Sequence, residues 1–123
     1  MSIKKNYIVS DVELNTIYQQ MLDKSQATSL NAYDIYIQEC KQRRCEKSPQ
    51  AASSGFPGSS NVYLEKHHII PRFDNGSDSP ENIVYLTVKE HVIAHWLRWK
   101  VLNKPQDYRA FLFRIGDIEE ALI

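Results

Sequence analysis

In the first third of the chain, apolar residues recur with the period of a helix. In "SDVELNTIYQQMLDK", Leu14, Ile17, Tyr18 and Met21 follow the i, i+3, i+4, i+7 spacing that lines one helical face. Ser10 stands three residues before Glu13, the capping-box order that starts a helix. After the polar stretch "SQATS", Tyr33, Tyr36, Ile37 and Cys40 repeat the spacing and predict a second helix from about Asn31 to Glu46, closing in the basic run "KQRRCEK". Residues 48–61, "SPQAASSGFPGSSN", are rich in Ser, Gly, Pro and Ala, carry no charge, and read as a loop. The pattern then changes. "NVYLEKHHII" is β-prone and stops at Pro71, which cannot donate to a sheet ladder. "RFDNGSDSPE" is turn-rich, and "NIVYLT" is a second β-prone run. Thr87, three residues before Glu90, then caps a helix over "VKEHVIAHWLRWKVLN" that stops before Pro105. "YRAFLFRIGDIEEALI" predicts a short helix, a break at Gly116 and a packing tail.

This order predicts an α+β fold: an N-terminal helical region over 1–47, a loop over 48–61, a strand–loop–strand–helix core over 62–104, and a C-terminal helical tail over 105–123. With 123 residues and 42% hydrophobic content, one compact domain is expected overall. No apolar run approaches the roughly 20 residues needed to span a bilayer. The N-terminus lacks a secretory pattern. The chain is therefore expected inside the cell, away from membranes, with Cys40 and Cys45 as ordinary thiols. Fifteen basic and fifteen acidic residues cancel, so no global field attracts a polyanion, and any nucleic-acid role must rest on local charge.

All four histidines lie between His67 and His95. His91 and His95 are four apart on the capped helix and project from one face, a geometry suited to holding one metal ion. A third ligand is available from the first strand. Three protein ligands leave a catalytic metal open to water or substrate. Successive strand residues point to opposite faces, so His67 and His68 are expected to have different jobs. One completes the metal site; the other stays unligated, a base able to take a proton from an attacking water. That combination describes metal-assisted hydrolysis.

The segment "YLEKHHIIPRFDNGSDSPENIVYLTVKEHVIAH" resembles the HNH endonucleases, which have the ββα-metal fold, over about residues 63 to 102. It is most similar to the small homing-type members of phages and introns; colicin-type DNases share its histidine layout. The resemblance implies that His67, His91 and His95 bind one divalent ion, Mg2+, Mn2+ or Zn2+. It implies that His68 is the general base. Asn82 stands where colicin-type members use an Asn to brace the loop and orient the base, and where some homing members use it to contact the metal. Glu65 matches a position that orders the edge of the active site. The glycine pair of many relatives is replaced by Asn75-Gly76, and the loop over 48–61 is an insertion relative to compact members.

The function expected is metal-dependent cleavage of DNA phosphodiester bonds, homing-type or nicking, by a monomer or homodimer, in the cytoplasm or, if intron-encoded, an organelle. Arg72 and Arg98 are candidate phosphate contacts, since guanidinium matches phosphate geometry. Arg43 and Arg44, in the "KQRR" run, are candidates for lying along a DNA backbone. Two alternatives remain: a non-catalytic zinc-stabilised DNA-binding module, which has no use for an unligated imidazole beside its ligands, and a non-specific toxin-like nuclease.

Overall fold

A computed structural model describes residues 9–47 and 63–116. The expected loop over 48–61 and the tail beyond Gly116 lie outside the described residues. Helix α1 spans Asp11–Ser25; the Ser10 hydroxyl accepts the Glu13 amide at 3.1 Å, a cap worth about 1 kcal/mol. Helix α2 spans Ala32–Lys47. It starts one residue later than the periodicity suggests because Asn31 is its cap, the side-chain Oδ1 accepting the Asp34 amide at 2.8 Å. Strand β1 is Glu65–His68 and strand β2 is Ile83–Leu86; they pair antiparallel, with His67 opposite Val84 and His68 opposite Ile83. Helix α3 spans Val88–Leu102 and helix α4 spans Pro105–Arg114.

The chain divides into two compact units. One comprises the residues up to 36 together with those from 92 onward. Its core includes Leu14 and Met21 of α1, Tyr33 of α2, Leu97 of α3, and Phe111 and Leu112 of α4, all buried. Burying each such side chain contributes about 1.5–3 kcal/mol. Trp96 meets the Tyr18 ring edge-on at 5.9 Å.

The other unit comprises residues 37–91. Both strands are shorter than their β-prone runs. Along β2, Val84 and Leu86 are buried while Ile83 and Tyr85 are partly exposed, the alternation of a sheet with one covered face. The connection between the strands contains two single turns of 3-10 helix, Arg72–Asp74 and Pro80–Asn82. Asn75 takes the left-handed conformation at φ 68°. Gly76 serves a different need: a Cβ there would collide with the backbone of Ile70 and Pro71, and its amide donates to the Pro71 carbonyl at 2.9 Å. The two residues thus divide between them what a glycine pair would supply.

Both arms of the expected capping box open α3. The Glu90 amide donates to Thr87 Oγ1 at 3.1 Å, and the Thr87 amide donates to Glu90 Oε1 at 2.9 Å. The helix stops at Asn103, which is left-handed at φ 57°, and Pro105 begins α4 where its missing N–H costs nothing. Helix α4 thus begins earlier than the apolar pattern alone indicates. Gly116 follows it at φ 84°.

Candidate metal centre and active site

Strand alternation separates the two neighbouring histidines. His67 is buried at 2% exposure, and its ring stands edge-on to His91 with centroids 5.0 Å apart. His68, the next residue, is partly exposed. Helix α3 carries His91 and, one turn on, His95. One ring nitrogen from each of His67, His91 and His95 lies within 4.8 Å of the others. Tetrahedral donors bonded to one ion at about 2.0–2.1 Å lie roughly 3.4 Å apart, so these nitrogens need only a small closure to share one.

The donor chemistry also fits a metal. His91 Nδ1 is 2.9 Å from Glu65 Oε1, and His95 Nδ1 is 3.2 Å from Asp107 Oδ1. An ionised carboxylate only accepts, so a neutral imidazole facing one through Nδ1 carries its proton there and its lone pair on Nε2. Glu65 sits on β1 two residues before His67. Asp107, in the first turn of α4, is fully buried and also accepts Arg98 at 2.7 Å.

His68 has a separate set of partners. Its Nε2 is 2.7 Å from Asp78 Oδ1, which also accepts the Arg72 guanidinium from Nε at 3.1 Å and NH2 at 3.0 Å. The His68 contact first, and Arg72 second, holds the Asp78 carboxyl below the ordinary aspartate value. Asn82 ties the intervening loop together. Its Nδ2 donates to the carbonyls of Ile70 at 2.9 Å and Ser77 at 2.7 Å, and its Oδ1 accepts the Ile70 amide at 2.9 Å.

The arginines expected at phosphates have different surroundings. Arg72 is 71% exposed at the loop surface. Arg98 is 4% exposed and turned to Asp107, so the expectation that it meets a phosphate is corrected: its charge is spent inside the protein. Arg44 grips Glu90 through two parallel bonds of 3.0 and 3.1 Å, and Arg43 Nε joins the same carboxylate at 3.0 Å. In this arrangement the "RR" pair supports the start of α3 rather than presenting two unpaired cations. Asp78 and Asp107 escape the sequence reading, because a lone aspartate in a Ser-rich turn or after a proline has no diagnostic spacing. The one available signal is that each lies within reach of a histidine-bearing element once the turns are drawn.

Residues 53–95 match the HNH endonuclease family. The chain carries an HNH endonuclease domain. The strand–strand–helix order of β1, β2 and α3 agrees with the ββα-metal fold of that family. The HNH domain and its flanks are similar to "Probable mobile endonuclease D" of Enterobacteria phage T4, 42% identical over 74 residues, covering 59% of this chain and 25% of the relative. "Probable mobile endonuclease E" of the same phage is 56% identical over 51 residues, 42% of this chain and 33% of that one. A 35.9 kDa protein in psbA intron 2 of Chlamydomonas moewusii is 32% identical over 82 residues, 67% of this chain and 26% of the relative. The chain thus spans about a quarter of the length of the first of these curated relatives and of the intron protein. No solved structure gives a significant match. Among the described residues, no helix is long and apolar enough to cross a membrane.

Proposed function

We propose that this chain is a metal-dependent DNA endonuclease of the homing type, in which His67, His91 and His95 hold one divalent ion and His68 is the general base. The observation that carries this reading is the separation of four histidines into a group of three and a fourth with its own carboxylate. A structural zinc site closes with four ligands. Among the described residues this group has three, and the next imidazole in sequence is engaged elsewhere, which favours an open, catalytic site. The phage relatives are named mobile endonucleases, which supports DNA as the substrate and a homing-type role.

Bound to the three histidines, a divalent ion would offset charge on the scissile phosphate and its leaving oxygen. The protein's own groups do the rest. Asp78 accepts from His68 Nε2, which leaves Nδ1 as the atom that takes a proton from the attacking water. Asn82 holds the loop that carries Asp78, and so fixes the base's orientation through the backbone. Arg72, beside Asp78, can reach a neighbouring phosphate oxygen. Glu65 orients His91. One base and one metal centre align one water with one phosphodiester, so a monomer nicks.

The test is incubation of purified protein with supercoiled plasmid and Mg2+, Mn2+ or Zn2+ in turn. The expected result is open-circle product with at least one ion, none in excess chelator, and linear product only later or at high protein concentration. Cleavage that survives the chelator contradicts the metal, and immediate linear product at limiting enzyme contradicts the monomer.

A further inference from the structure

The HNH segment ends at residue 95, yet the surroundings of its last histidine do not. Asp107, twelve residues on and in a different helix, is fully buried with one oxygen on each of two partners: Oδ1 toward His95 Nδ1 at 3.2 Å and Oδ2 toward Arg98 at 2.7 Å. Arg98 is itself buried and lies 5.9 Å from the centre of the Tyr33 ring. Burying a carboxylate with a guanidinium is costly in desolvation and is weak support for stability alone. Its oxygens here are aimed, and one of them fixes an imidazole.

We infer that Asp107 is a positioning residue for the metal centre: it keeps the proton of His95 on Nδ1 and so directs the Nε2 lone pair to the ion, while Arg98 holds the Asp107 carboxylate in place. Helix α4 is then a working part of the centre although it lies outside the HNH segment. Outer partners of this kind typically carry about a 10–100-fold effect on metal affinity. The assignment rests on the metal reading above.

Asp107→Asn tests it with almost no change of volume. The asparagine carbonyl must turn to Arg98, which can only donate, so its NH2 group faces His95 and demands an acceptor there. The proton of His95 is thereby forced onto Nε2. Long-range 15N–1H spectra of the metal-free protein should show the Nδ1–H form of neutral His95 in the wild type and the Nε2–H form in Asp107→Asn. Titration calorimetry with Zn2+ should show a loss of about 10–100-fold. Adding Arg98→Gln to Asp107→Asn lets the asparagine carbonyl turn back to His95, and should restore the Nδ1–H form and part of the affinity.

A wild-type Nε2–H form overturns the assignment, as does weakened binding in Asp107→Asn with the Nδ1–H form retained, or unchanged Zn2+ affinity. If Asp107→Asn does not fold, the wild-type form of His95 decides. A wild-type chain that binds no Zn2+, Mn2+ or Mg2+ overturns the metal reading itself, whereas a binding wild type with an indifferent Asp107→Asn overturns only the role of Asp107.

Discussion

Asp78 accepts from His68 and from Arg72, and both contacts favour its ionised form. Its carboxyl should therefore titrate below the ordinary aspartate value, and His68→Ala should move it back up, since the His68 bond is the larger cause. The sign for stability follows. A folded value below the unfolded one gives a contribution that is complete above the unfolded value and is lost as pH falls through the folded value. Carbonyl-carbon NMR of Asp78 against pH measures this directly, and an ordinary titration in the wild type would contradict the contact. The histidines themselves were legible in the sequence, because two adjacent on a strand and two at i, i+4 on a helix have geometric consequences that hold before any folding detail is known. Their carboxylates were not legible, apart from Glu65. Asp78 reaches His68 across a ten-residue turn and Asp107 reaches His95 across a helix break, and nothing in local spacing encodes either.

At the scale of elements, side-chain caps open three of the four helices, and those of α1 and α3 are legible in the sequence. Ser10 with Glu13, Asn31 with Asp34, and Thr87 with Glu90 satisfy amides that a first turn leaves without partners. Both strands stop short of their β-prone runs at each end, because pairing rather than propensity sets where a strand stops. Glu90 has a second duty that spacing did not reveal. One carboxylate both accepts the Thr87 amide and pairs with Arg43 and Arg44 of α2, forty-seven and forty-six residues away. Glu90→Ala removes the cap and leaves two guanidiniums without this acceptor. We expect a loss of about 1–3 kcal/mol, read as a lower urea midpoint at unchanged m-value. An unchanged midpoint would show that the carboxylate is only a surface contact.

For the whole molecule, charge bears on how DNA is met. The chain is electrically neutral, and three of the four arginines expected to face a backbone are engaged by Glu90 or Asp107. Arg72 remains at the exposed loop, sharing Asp78 with His68. DNA affinity should therefore fall only gently with salt; a slope equivalent to roughly eight or more released counterions would contradict this. The matched stretch makes up only about a quarter of the length of two of the curated relatives, so the rest of their length is where further contacts to DNA would be sought.

The central claim is a division of labour between two adjacent imidazoles, and it is tested most directly by measuring metal affinity and single-turnover plasmid cleavage on His67→Ala and His68→Ala side by side. His68→Ala should bind Zn2+ or Mn2+ close to the wild type and cut about 10²–10⁴-fold more slowly, the range for loss of a general base. His67→Ala should lose metal affinity and cleavage together. Equal loss of metal by the two variants, or cleavage by His68→Ala at the wild-type rate, would contradict the account.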